Sequence, residues 1–294
     1  MGQVRYNVWA CVLAWGLLGL GASAVGAEPA QSATPGAGDG LFYYPDRKDY
    51  GTPAAYDLTF EEITLQSKDG TKLNAWFVPA KGTPQGTVLF FHGNAQNMSA
   101  HFAFVAWLPA KGYNVFAFDY RGYGKSEGAA EREGIYEDSL AALRYVKTRQ
   151  DIAQDKLFVL GQSLGGAIAI PAVATGEFDG IRGVVVESSF YSYTSVAEDK
   201  APAAVVAMLV SDAHSPGPLA AKLAPIPLLV IHGTADKVVA YKHGERLFAE
   251  AGEPKEFWKV QGGGHIPAFV GKRAATYRPK LNAFFKKCVE GKQR

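Results

Sequence analysis

Cysteine is scarce in this chain, with two in 294 residues. Cys11 lies in an apolar leading stretch and Cys288 lies near the other end, between Lys287 and Val289. No disulfide framework can be built from that pair, and a domain of this size has core enough to stand without one. Cys288 reads as a structural residue. No group of His, Cys, Asp and Glu has metal-ligand spacing, so neither a metal nor another cofactor is expected. Charge of one sign is also lacking, since 30 Lys and Arg against 28 Asp and Glu leave a net +2. No Lys/Arg cluster interleaves with aromatics, which argues against a nucleic-acid partner. There is no internal repeat and no sign of a second domain. What remains, 48% hydrophobic and 20% charged residues, is ordinary globular composition.

The first 27 residues differ from the rest. Arg5 is the only charge before Glu28, and Val8 to Leu20 is almost wholly apolar. Ala22-Ser23-Ala24 and Val25-Gly26-Ala27 both offer small residues at the spacing a signal peptidase reads, so residues 1–27 are expected to be a cleaved secretory signal. The alternative is an uncleaved anchor, because Tyr6 to Ala27 could just span a bilayer; a membrane is then a partner. Gly16, Gly19, Gly21 and Gly26 favour cleavage. Cys11 lies too early for a lipid-attachment cysteine, and Met1-Gly2 lacks the Ser or Thr at position 6 that myristoylation needs. Export to the periplasm or the medium is the expectation. Residues 28–55, rich in Ala, Gly, Pro and Ser from Glu28 to about Thr52, read as a linker, and 56–294 as the folded domain.

Within that domain, Glu61–Ser67 and Lys72–Val78 alternate as two strands about Asp69-Gly70, a hairpin pattern. Thr87–Phe91, Asn114–Asp119, Leu157–Gly161, Gly183–Glu187, Leu228–His232 and Glu256–Gln261 are short strands of the buried, parallel kind. Helical periodicity separates them over Met98–Lys111, Ile135–Arg149, Leu164–Thr175, Tyr241–Ala251 and Ala274–Lys287. A hairpin followed by repeated βα units predicts a mostly parallel eight-stranded sheet with helices on both faces. In such sheets reactive groups collect at the carboxyl ends of the strands.

Those ends carry the distinctive residues. Gly161-Gln162-Ser163-Leu164-Gly165 is a G-x-S-x-G pentapeptide between a buried strand and the opening of a helix. The serine there sits on a sharp, strained turn, and side chains at Gly161 and Gly165 would collide with neighbouring backbone. Serine alone is a poor nucleophile; it needs an imidazole within reach and a carboxylate to fix that imidazole. Asp236, in His232-Gly233-Thr234-Ala235-Asp236, lies just past a strand of aliphatics, and His265, after three glycines, lies just past the last strand, in the order Ser, Asp, His. Phe91-His92-Gly93-Asn94-Ala95 offers a second backbone N–H, at Asn94, to join that of Leu164 around an oxyanion. Asp236 read as a turn or cap residue is the bland alternative. His214 is the rival base, His92 is expected to brace its loop, His232 to open a tight turn, and His101 and His243 fall on helices. Asp119 and Arg121 are expected to hold the loop through hydrogen bonds and an ion pair. Gly124-Lys125-Ser126 ends like a phosphate-binding loop, but Asp119 stands where its first glycine belongs.

Phe-His-Gly-Asn-Ala, Asp-Tyr-Arg-Gly-Tyr-Gly-Lys-Ser, Gly-Gln-Ser-Leu-Gly-Gly and His-Gly-Thr-Ala-Asp together resemble the α/β-hydrolase superfamily, within it the Bem46-like serine hydrolases. The resemblance runs from about Tyr56 to Lys287. It implies the α/β-hydrolase fold, with Ser163 as nucleophile, His265 as base, Asp236 as orienting acid, and Asn94 and Leu164 at the oxyanion positions. It departs at the amino terminus and around His214. Between Ser188 and Pro227 lies the one stretch able to form a cap, too short for a folded cap domain; Phe190, Tyr191 and Met208 are its candidate pocket residues. The expected activity is hydrolysis of a small acyl substrate, a carboxylic ester first, with thioesterase and peptidase chemistry open because the triad is indifferent to the leaving group. A serine nucleophile disfavours a dehalogenase, which needs a carboxylate there. The competing class is a non-catalytic envelope-binding protein on the same fold.

Overall fold

The computed structural model describes residues 38–291. Strand β1 (Glu61–Gln66) and strand β2 (Lys72–Val78) pair antiparallel around a turn in which Gly70 takes φ +90°. Six strands follow: β3 (Gly86–Phe91), β4 (Tyr113–Phe118), β5 (Leu157–Gln162), β6 (Ile181–Glu187), β7 (Leu228–Gly233) and β8 (Lys255–Val260). They form one eight-stranded sheet in the order β1-β2-β4-β3-β5-β6-β7-β8. From β4 to β8 every pairing is parallel, and β2 joins antiparallel to both β1 and β4. Every residue of β3, β4, β5 and β7 is buried, whereas β1 at the edge alternates. Continuous apolar runs belong where both faces of a parallel sheet are covered.

The helices are α1 (Met98–His101), α2 (Arg132–Thr148), α3 (Leu164–Val173), α4 (Tyr193–Glu198), α5 (Ala203–Leu209), α6 (Gly217–Ala220), α7 (Tyr241–Glu250) and α8 (Ala274–Glu290). One core lies under α2, α3 and α7, through Ile135, Leu143, Ile170 and Leu247. The other lies under α1 and α8, through Met98, Leu281 and Phe285. Cys288 is a buried, unpaired member of that second core, and burial pushes its thiol up to about 12. Residues 188–227 carry α4, α5 and α6 as a short cap.

Two expectations are corrected. The helix expected over Met98–Lys111 is one α-turn followed by 3-10 turns at Phe102–Phe104 and Pro109–Lys111. Met98, Phe102, Val105 and Leu108 are all buried, which is why the spacing reads as helical. The ladder is broken because the Trp107 indole N–H donates to the Phe104 carbonyl, 2.9 Å, while the Leu108 N–H turns to Val105. Pro109 then has no N–H to continue with.

The second correction concerns the linker expected over 28–55. From residue 38 onward the segment is part of the domain, as a strap. Phe42 and Tyr43 are buried, the Gly38 N–H donates to the Leu209 carbonyl, and Pro45 forms a bridge with Gln96. The Asn97 amide donates to the Asp46 side chain and to the Lys48 carbonyl, both at 2.8 Å. Residues 1–37, which contain the expected signal segment, lie outside the described residues.

The loop after β4 is tied as expected. Asp119 accepts from the Met98 N–H at 2.6 Å, and Arg121 meets the buried Asp138 at 2.8 Å.

Burying the Phe42 and Tyr43 rings is worth roughly 2 kcal/mol each. A chain beginning at Tyr56 is therefore expected to melt on the order of 10 °C below one beginning at Gly38, by circular dichroism. Equal melting temperatures would show that the strap contributes nothing to the fold.

Candidate active site

Ser163 joins β5 to α3 at φ +53°, ψ −119°, a backbone conformation rare for any residue with a side chain. The turn is that sharp because backbone packs on backbone around it. A methyl group at Gly165 would lie 2.0 Å from the Phe91 carbonyl oxygen, and one at Gly161 would lie 2.6 Å from that of Gly165. The Ser163 N–H donates to the Glu187 carbonyl at 2.8 Å, tying the turn to the end of β6.

Two further loops meet this turn. After β7, Asp236 accepts through Oδ1 from the N–H groups of Val238 and Val239, at 2.9 and 3.0 Å. After β8, the loop carrying His265 zips to the Asp236 loop: the Ala235 N–H donates to Gly263 and the Gly262 N–H to Thr234 Oγ1. The His265 ring lies between, with Nδ1 2.8 Å from Asp236 Oδ2 and Nε2 3.0 Å from Ser163 Oγ. With Nδ1–H donating to the carboxylate, Nε2 is left as an acceptor for the serine hydroxyl. Burial works to raise the Asp236 carboxyl, but hydrogen bonds from His232 and His265 outweigh it and hold the group well below the usual carboxylate range. That carboxylate is therefore charged at any working pH and fixes the imidazole.

Ser163 and His265 open into a cavity of about 630 Å³. Asn94 and Leu164 line it, and neither backbone N–H is taken by another group among the described residues. The Asn94 side chain faces the other way, into the strap. It accepts from the Tyr44 N–H and the Tyr123 hydroxyl and donates to the Phe42 carbonyl, all within 3.0 Å.

Of the three pocket residues expected in the cap, only Phe190 lines the cavity. Tyr191 is buried away from the cavity, where its hydroxyl meets Glu250 at 2.5 Å and Arg246 stacks on its ring. Met208, on α5, is 60% exposed. The residues missed include Phe42 and Tyr44, which line the cavity from the strap, and Phe104, Val238, Ile266, Lys272 and Arg273. For the first two, an aromatic cluster after a Gly-rich stretch was the available signal.

The other histidines fall elsewhere. His214 stacks on Tyr136 and pairs with Glu133 at 2.7 Å, outside the cavity. His92 is buried beside Asp119 and Tyr120, and the His232 ring lies between Val239 and Asp236. His243 is buried against Asp199. His101 does line the cavity, but burial pushes its imidazole down to about 3, so it is neutral. Among the described residues no cluster could hold a metal.

Beneath the three loops lie Glu187 and Ser188, at the end of β6. The Glu187 carboxylate accepts from the Ala268 N–H at 2.6 Å and from the Gln162 amide at 2.7 Å. Ser188 Oγ accepts from the Ile266 N–H at 3.1 Å, and the Ser188 N–H donates to Ile231 of β7. This clasp holds the base loop on both residues that matter to its path, one and three places after His265. Burial pushes the Glu187 carboxyl up to about 7, and its two donors counter that only in part.

The sheet order, the sharp serine turn and the placing of the loops define an α/β hydrolase. Residues 82–218 match the family described as serine aminopeptidase, S33. The chain is 42% identical to the uncharacterized protein YfhR of Salmonella typhimurium over 265 residues, covering 85% of this chain and 89% of that one. It is 35% identical to the alpha/beta hydrolase domain-containing protein WAV2 of Arabidopsis thaliana, covering 68% and 69%. It is 29% identical to the protein bem46 of Schizosaccharomyces pombe, covering 71% and 72%. In fold it is similar to an esterase of Pyrococcus furiosus, with a TM-score of 0.69 at 21% identity over 84% of this chain and 98% of that one. The chain belongs to the α/β-hydrolase superfamily, among its Bem46-like members.

A carboxyl that ionises less readily in the folded chain leaves stability greatest below its ordinary value of 4.5 and removes it as pH rises toward 7. Glu187→Gln, which keeps the Ala268 bond, is expected to flatten that part of the melting-temperature profile between about pH 4.5 and 7. An unchanged slope in thermal denaturation would assign the pH dependence to another group.

Proposed function

We propose that the protein is an exported serine hydrolase that cleaves carboxylic esters through an acyl-enzyme. The observation that carries this reading is the single imidazole bridging Ser163 Oγ, at 3.0 Å, and Asp236 Oδ2, at 2.8 Å. His265 Nε2 takes the hydroxyl proton as Ser163 Oγ bonds to the ester carbonyl carbon. The carbonyl oxygen gains the negative charge and is held by the N–H groups of Leu164 and Asn94, each worth on the order of 3 kcal/mol in the transition state. Collapse of the tetrahedral intermediate breaks the bond to the alcohol, which leaves with the proton from His265. Water, deprotonated by the same imidazole, then releases the acid and restores the serine.

The cavity wall supports an acyl chain as the group bound, because its surface is mainly apolar, with Phe42, Phe104, Leu164, Phe190, Val238 and Ile266 in it. The esterase of similar fold and the aminopeptidase description point to ester or amide chemistry without choosing between them. An aminopeptidase must hold a free ammonium group, and among the described residues no Asp or Glu lines this cavity. Ester cleavage is the better fit.

A fluorophosphonate probe is expected to label the wild type but neither Ser163→Ala nor His265→Ala. Labelling of Ser163→Ala, or none of a folded wild type, would remove the basis of the proposal. Asp236→Asn should fold normally and lose about 10³-fold or more in kcat on 4-nitrophenyl esters, the imidazole being left in the wrong tautomer. Near-normal turnover would mean that another acid serves His265.

For export, Ala22-Ser23-Ala24 and Val25-Gly26-Ala27 support a mature chain beginning at Val25 or Glu28. Terminal sequencing of protein from cells that found Met1 or Gly2 instead would make the segment an anchor.

A further inference from the structure

Several cations of this surface are matched to carboxylates. Arg149 meets Asp151 and Glu61, Lys125 meets Glu62, Lys147 meets Asp179, and Arg246 meets Glu250, all within 3.0 Å. Lys272 and Arg273 are set apart by their place. Both line the active-site cavity, and among the described residues neither has a carboxylate partner. Arg273 donates only to backbone carbonyls, chiefly that of Gly262 at 2.9 Å. The two residues lie in the 3-10 turn that leads into α8, a 17-residue helix with no acidic residue in its first turn. The positive end of the helix therefore adds to their field. Among the described residues the other polar side chains of the cavity bring no negative charge, for His101 is neutral and no Asp or Glu lines it.

We propose that the site is built for esters that carry an anionic group, a carboxylate or a phosphate, separated from the scissile carbonyl by an apolar segment. This rests on the esterase reading above. The apolar wall takes the segment, and Lys272 and Arg273 take the charge. A neutral ester leaves both cations facing an empty or watery mouth. An anion beside an apolar wall gains more from them than it would in open water.

The anion could lie on either side of the ester bond, so two substrate pairs are needed. On the acyl side, 4-nitrophenyl hemiesters of glutaric to suberic acid are compared with their methyl-capped diesters. On the alcohol side, 1-hexanoylglycerol 3-phosphate is compared with 1-hexanoylglycerol. In the wild type one anionic member is expected to exceed its neutral partner in kcat/KM by about tenfold or more, the ratio shrinking in added salt as charge attraction is screened. In the Lys272→Gln, Arg273→Gln double variant that ratio should fall toward one; the second of these substitutions leaves a side-chain amide able to donate to the Gly262 carbonyl. A wild-type ratio near one for both pairs, or a ratio that survives in the double variant, overturns the proposal. Calorimetric binding of the same pairs to Ser163→Ala reads the preference without turnover. Anion-selective binding with no hydrolysis by wild type would sink the esterase reading and leave the anion site standing. Hydrolysis with no selectivity would do the reverse.

Discussion

The contact on which this structure depends is backbone against backbone, where the start of α3 presses on the end of β3. Gly165 has the Phe91 and His92 carbonyls where a side chain would be, and Gly161 has the Gly165–Gly166 backbone. That closeness forces Ser163 into its strained turn, at a cost of about 1–3 kcal/mol that the surrounding packing must offset. The offset is visible in β3, β5 and α3, in which every residue is buried. A looser interface would let the turn relax and drop the hydroxyl back toward the sheet.

Around that contact the loops are coupled through shared partners rather than through regular structure. Glu187 receives the Ser163 N–H on its carbonyl and the Ala268 N–H on its carboxylate. Ser188 adds Ile231 on one side and Ile266 on the other. Two consecutive residues thus bind the nucleophile turn, the strand that leads to Asp236 and the loop that carries His265. Misplacement of any one is transmitted to the others, which suits a site where sub-ångström placing governs proton transfer.

What could be read from the sequence was what obeys local rules. Ser163 and Asp236 each follow a run of apolar residues, His265 follows the last strand, and a parallel sheet brings such positions to one edge. The glycines announced close approaches. Features set by distant partners were illegible. Tyr191 follows Phe190 directly, yet one ring enters the cavity and the other leaves it to meet Arg246 and Glu250, far along the chain. Met208 is apolar and lies in the cap, but α5 turns it to solvent. Phe42 and Tyr44 looked like the end of a linker because the residue that captures them, Asn94, lies 50 or more positions away. The break after α1 came from a side chain, Trp107, competing for a backbone carbonyl.

The Asn94 anchor has a thermodynamic corollary. Its side-chain amide binds the strap while the residue itself lines the cavity, and the strap supplies Phe42 and Tyr44 to the same wall. Docking of the strap and occupation of the cavity are therefore linked equilibria, each favouring the other by the same factor. A ligand that fills the cavity tightens the amino-terminal segment, and anything that pulls on that segment loosens the ligand. Affinity measured on a chain trimmed at its amino end is then a property of a different binding site.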